Sequence, residues 1–285
     1  MLRGVIVEDG GKFIITSGGV VERGIRSNGG SAIDIYQGTL SGGMSVRNHV
    51  GHIDIVDSDV DGNFSFDRVS DGSIYMRDIN FTKPGSITVR NSTVSNLTFY
   101  QLKGVRNISV SSTSARRRSR VFESIVTGNI RYTGNDAWIN ISNNTIAGSV
   151  SIRNNTRGVF LGVNQLNRPV SISGNTVEDM TVIDNSFGSR ASLKVDRNTA
   201  TNSFHIFGNG QQGMPSSISF QRNTGKKLFM AENSSAGRVT VSRNNLSESL
   251  DLSTNNIGQD FICSSNSIVP VKLFNVVGRK DRCLN

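Results

Sequence analysis

The sequence predicts an all-β protein, a single-domain right-handed parallel β-helix (a solenoid) of about 22 residues per coil with Asn ladders. Three observations carry this expectation. One frame, apolar-x-apolar-x-x-Asn-x-apolar, recurs along the chain, as at 139–146, 170–177 and 250–257. Asn holds its sixth position in every consecutive unit from Asn135 through Asn144, Asn155, Asn164, Asn175, Asn185, Asn198, Asn209, Asn223, Asn233, Asn244 and Asn255 to Asn266. The frame returns after about 11 residues, which makes it half of a coil.

Each position of the frame has a physical reason. Positions one and three alternate with polar residues, which describes a short strand with one face turned inward. Asn follows because the chain must turn, and Asn tolerates the left-handed conformation. Coils stacked about 4.8 Å apart bring equivalent Asn amides into hydrogen-bonding register. A leucine-rich repeat has a similar core frame but needs roughly 20–29 residues per repeat, so two short frames per coil fit this chain better.

The expected organisation is an N-terminal cap or irregular first coils over 1–32, a β-helix over 33–270 and a C-terminal cap over 271–285. In the first half, units start near Ile33, Met44, Ile53, Phe64, Ile74, Ile87, Leu97 and Ile108, with Asp or Ser at the turns. The frame breaks over 111–129, which is expected as an insertion carrying Arg116, Arg117, Arg118 and Arg120. A smaller insertion is expected over 210–217.

Lys and Arg number 31 against 22 Asp and Glu, a formal charge of +9. That balance favours an anionic partner, an acidic polysaccharide or other polyanion, or serves solubility alone. No apolar run approaches the 18 residues of a membrane-spanning helix. The first ten residues lack the apolar stretch of a signal peptide, so a signal or upstream region is expected to be absent from this chain.

Alternate units should fall on two faces. One presents Arg131, Arg153, Lys194, Arg197, Arg222 and Arg243, a basic ladder. Arg suits bidentate contact with carboxylate, sulfate or phosphate, although charge also keeps exposed strands apart. The other presents Phe160, Ile183, His205, Phe207, Phe229 and Asp251. Apolar rings at outward positions mark a ligand groove, a covering segment or a homo-oligomer contact.

Three smaller patterns carry chemistry. Asp57, Asp59 and Asp61 read D-x-D-x-D-G with Gly62, alternating carboxylates that suit calcium. Arg68 stands at the twelfth position, where an EF-hand needs an acid, leaving calcium in a solenoid turn or a solvated acidic turn. No other cofactor is expected. His49, His52 and Asp54 form H-x-x-H-x-D, short of a further ligand for zinc. His205 beside Phe207 is placed to act as acid or base in a groove, but stands alone.

Over roughly residues 30–270 the architecture resembles the pectate-lyase-like superfamily. That resemblance implies the fold, not the activity. The N-T-D, D-D, G-H-G and R-I-K set of polygalacturonases does not stand here, and the three Asp at 57–61 lie in one turn rather than across coils as in pectate lyases. The C-terminal stretches 256–266 and 275–283 resemble disulfide-closed repeats of uncharacterised exported bacterial proteins, which implies export and a closed end.

Cys263 falls at the third position of its frame, where Ile141, Ile172 and Val241 stand elsewhere, and should point inward. Cys283 follows twenty residues later, about one coil. A Cys263–Cys283 disulfide capping the open end is expected, the rival being two free thiols. The functional expectation is an exported, non-catalytic β-solenoid, secreted or at the cell surface, binding anionic glycans or a cell surface. A polysaccharide lyase or glycoside hydrolase acting on acidic polysaccharide, and a structural spike or adhesin segment, are the alternatives. A groove holding two carboxylates, or a carboxylate and a base, in adjacent coils would favour the enzyme.

Overall fold

A computed structural model describes residues 1–283, all strands and turns, with no helix among the described residues. Residues 284 and 285, the end of the expected C-terminal cap, lie outside the described residues. The chain resolves into two compact units, Met1–Asn140 and Ile141–Asn285. Each is a parallel β-solenoid with coils of about 21 residues, fitting a right-handed parallel β-helix.

In the second unit a coil has three sides, one more than two frames suggest. Val150–Arg153 opens the coil, Thr156–Gly162 follows as a longer strand, and Gln165–Leu166 makes a short third side. The first side stacks in parallel through Val170–Ser173, Leu193–Asp196, Ser217–Gln221, Arg238–Ser242 and Phe261–Ser264. The second stacks through Thr176–Ile183, Thr199–Phe207, Thr224–Ala231 and Asn245–Ser253. Register places like on like: Val159, Met180, Phe204, Leu228 and Leu250 form one inward row, all buried. Burial of such side chains, each worth about 1.5–3 kcal/mol, drives the stacking.

The first unit repeats the plan from its start. Val5–Glu8 already pairs with Ile25–Asn28, and Lys12–Ile15 with Ala32–Tyr36, so 1–32 is regular solenoid rather than an irregular cap. The segment 111–129 is likewise no insertion. Ser114–Phe122 lies in the second-side stack against Thr93–Tyr100, with one extra residue accommodated by a bulge near Arg116 and Arg117. Consecutive Arg residues hid this coil because they occupy strand positions. At the other end, Val271–Leu273 pairs with Asp251–Ser253 and Asp281–Arg282 with Phe261–Ser264, so the expected cap is one more coil.

The corners correct the reason for Asn. The left-handed residue is the one before the ladder position: Asn154 (φ 53), Gly174 (φ 65) and Arg197 (φ 56) at one corner, Val163 (φ 56) and Asp184 (φ 50) at the other. The ladder Asn itself is needed for its amide. Asn175 Oδ1 accepts the backbone N–H of Asn155 and its side-chain amide, both at 2.9 Å. Asn175 Nδ2 donates to the Ile152 carbonyl at 3.0 Å and to Asn198 Oδ1 at 2.8 Å. A second ladder runs down the next corner, where Asn185 joins Asn164, Leu161 and Asn209 in the same pattern. Earlier in the first unit Ser does this work before Asn135 takes it over: Ser92 Oγ accepts the N–H of Val69 and donates to the Arg90 carbonyl.

Val163 is costly where it stands. A β-branched residue at φ 56 pushes Cβ against its own backbone. Val163→Asn should raise the unfolding free energy by about 1 kcal/mol, read by urea denaturation. An unchanged midpoint would mean that this corner stores no strain.

Candidate functional site

The second unit carries an open groove of about 520 Å³ over its long-strand face, lined by Asn202, Ser203, His205, Lys226, Lys227, Phe229, Glu248, Ser249 and Asp251 among others. Its origin is a stacked irregularity. Pairing slips between Val177 and Asp179, between Ala200 and Ser203 and between Gly225 and Lys227. Bulges at the same place in successive coils raise a ridge and re-aim side chains, a common device beside binding sites.

Beyond the ridge the outward rows are ordered by register. Phe160, Thr181, His205, Phe229 and Asp251 follow one another in one row; Asp179, Ser203, Lys227 and Ser249 form the row before it. Phe229 stacks on Phe207 with centroids 6.1 Å apart and planes 18° apart, and lies 6.3 Å from the His205 ring. Phe160 stands two coils from His205, so it is not part of this floor.

The polar side of the groove is connected. The Ser203 hydroxyl donates to Asp179 Oδ1 at 2.7 Å and lies 2.9 Å from His205 Nε2. With its hydrogen committed to Asp179, Ser203 accepts from Nε2–H, which fixes the ring and leaves Nδ1 to the groove. Lys227 pairs with Glu248 at 3.2 Å, whereas exposed Lys226 has no ion pair among the described residues. Asp251 Oδ1 is shut off from solvent without a hydrogen-bond partner, a state that calls for a donor from a ligand.

The basic residues divide. Arg197, Arg222 and Arg243 (φ 56, 55 and 55) occupy the same left-handed corner in three successive coils. From that corner start the strands Thr199–Phe207, Thr224–Ala231 and Asn245–Ser253 that carry the groove. Arg222 is spoken for: its guanidinium clamps buried Asp196 at 2.8 and 2.7 Å, a bond that raises the Arg222 pKa above its ordinary value. Lys194 leans on the same carboxylate at 3.8 Å. Arg153 lies opposite Ser173 and Lys194 opposite Ser171, so neither joins the corner row. Exposed Arg197 and Arg243 keep no ion pair among the described residues. First-unit Asp67 repeats the motif, buried against Arg68 and Arg90.

Asp57, Asp59 and Asp61 do not converge. Asp57 is the left-handed corner residue (φ 50), Asp59 accepts from Asn80 at 2.8 Å, and Asp61 pairs with Lys83. His49 is fully buried at a ladder corner, Nδ1 3.4 Å from Ser27 Oγ, and burial lowers its pKa. His52 meets Asp34 instead, and Asp34, His52 and Asp54 bring their ligand atoms within 4.8 Å of one another. At the chain's end Cys263 and Cys283 form the expected disulfide, Cα atoms 4.4 Å apart.

Sequence reasoning placed His205, Phe207 and Phe229 on one face but missed Asp179, Ser203, Lys226, Lys227 and Glu248. A signal existed. Asn135 to Asn144 and Asn155 to Asn164 are nine residues apart, whereas Asn198 to Asn209 and Asn244 to Asn255 are eleven. The surplus lies in the coils that bulge.

The fold defines the class: a parallel β-helix protein with a side groove. No family model, no curated protein and no solved structure matches the chain.

Proposed function

We propose that the second unit binds an acidic glycan along its groove, with sugar rings laid on Phe229 and Phe207 and acid groups turned toward Lys226, Arg197 and Arg243. One observation carries this reading: a stacked aromatic floor beside an unpaired cation in an open, polar-walled groove. Aromatic faces hold the apolar faces of sugars, and orphaned Asp251 Oδ1 suits a sugar hydroxyl donor. The protein acts outside the cell on this reading, a setting compatible with the Cys263–Cys283 bridge. Calorimetric titration with heparin and polygalacturonate oligosaccharides tests it. Affinity should fall with added salt, and Phe229→Ala and Lys226→Glu should each weaken it about tenfold, or 1.4 kcal/mol. Arg222→Ala is a poor probe, because it strips buried Asp196 of both guanidinium hydrogen bonds. Unchanged affinity in both groove variants removes the proposal.

The Asp179–Ser203–His205 chain favours a second reading, a polysaccharide lyase or hydrolase. A carboxylate and a base now stand in adjacent coils, and Nδ1 of a ring held through Nε2 is free to take a proton. Steady release of unsaturated products from polygalacturonate, abolished in His205→Ala, would move the function from binding to β-elimination.

A further inference from the structure

Away from the groove, in the first unit, two carboxylates face each other across a ladder rung. Asp34 and Asp54 are register partners in adjacent coils, their outward row running from Ile14 through both to Tyr75. Like charges directly opposite on a sheet destabilise it. Here both are also half-buried.

His52 stands two residues before Asp54, on the same face of the same strand. Its Nε2 lies 3.0 Å from Asp34 Oδ1. That oxygen is shut off from solvent and receives no hydrogen bond, so the imidazole approaches it without a good N–H···O direction. Two ligand atoms that each sit about 2.1 Å from one tetrahedral ion stand about 3.4 Å apart, so a shift of a few tenths of an ångström would let both hold the same ion. The backbone at His52 is braced from below: its carbonyl lies 3.3 Å from Nε2 of buried His49.

We infer that Asp34, His52 and Asp54 form a binding site for a divalent transition-metal ion, Zn²⁺ in preference to Ca²⁺. One imidazole and two carboxylates are a borderline donor set: the nitrogen suits zinc, whereas calcium collects six to eight oxygens. A cation at this point neutralises the opposed carboxylates and satisfies Asp34 Oδ1. Three protein ligands leave a fourth position open to solvent, because His52 is 47% exposed. Tyr75 is the register partner of Asp54 in the next coil, and Tyr36 follows Asp34 by two residues on the same strand. The site is independent of the glycan groove and stands or falls apart from it.

The test is titration of the intact, metal-stripped chain with Zn²⁺ and, separately, Ca²⁺, followed calorimetrically, with Co²⁺ as a visible probe. One Zn²⁺ per chain is expected, together with Co²⁺ ligand-field bands. His52→Gln and Asp54→Asn should each lower Zn²⁺ affinity about 100-fold, since losing a ligand costs no less than losing its supporting partner. His205→Ala, which removes the other exposed His, should bind as the parent does. In the unaltered chain, Zn²⁺ should shift the imidazole resonances of His52 and not those of His205, which locates the ion even where a variant fails to fold. Absence of Zn²⁺ binding, Ca²⁺ binding of equal strength, parental affinity in both ligand variants, or a shifted His205 with an unmoved His52 would each overturn the assignment.

Discussion

Asn175→Ala should lower the unfolding free energy by about 3–4 kcal/mol, far more than the removal of one average hydrogen bond. Asn175 is buried in the middle of its ladder and touches coils on both sides. Truncation leaves the Asn155 backbone N–H and the Ile152 carbonyl facing a void, with no water to replace the amide. Each buried group left unsatisfied costs about 1–3 kcal/mol. The neighbouring Asn154 supplies the control. It is exposed at φ 53 in the same turn, so Asn154→Gly keeps the turn and should change stability by no more than about 0.5 kcal/mol. Urea denaturation followed by circular dichroism reads both. Small, equal losses would show that the corner depends on turn propensity and not on the amide ladder.

Breaking the Cys263–Cys283 bridge should cost about 3 kcal/mol in the chain-entropy model for a loop of this length, and the loss should be local. Each coil of a solenoid is held by its neighbours, and among the described residues the coil 271–283 pairs on one side, with 251–264. It also buries little: Val271, Leu273 and Phe274 are 57%, 52% and 83% exposed. The covalent link therefore replaces the apolar contacts that hold inner coils. Cys283→Ser, or reduction of the parent, should lower hydrogen-exchange protection over 271–283 by about 100-fold, the equivalent of some 3 kcal/mol. Protection at 170–198 should stay as it was. Equal protection before and after reduction at both places would show that the terminal coil holds itself.

Much of the fold was legible because stacking forces a repeat. Apolar pairs such as Val170 and Ile172 reveal the inward face, and Asn175 marks the corner that follows, since each coil must solve the same two problems as the last. The third side stayed hidden because a two-residue strand such as Gln165–Leu166 is too short to show a period. The coil at 114–122 stayed hidden because polarity alone cannot tell an outward strand row from a loop. The candidate sites were half legible. Alternation put His205 and Phe229 on one face, and the widened Asn spacing records the bulges.

By itself, the sequence determined the parallel solenoid, its coil length, its ladder residues and the pairing of its two Cys, because those depend on local periodicity and on position within a repeat. Tertiary structure alone decided which coils lie in exact register and therefore which side chains meet. Asp179 reaches Ser203 across 24 residues, Arg222 finds Asp196 across 26, and the His52 ring meets Asp34 of the preceding coil. These contacts lie across the strand axis, where the rung of the ladder, and not the order of residues, sets the distance.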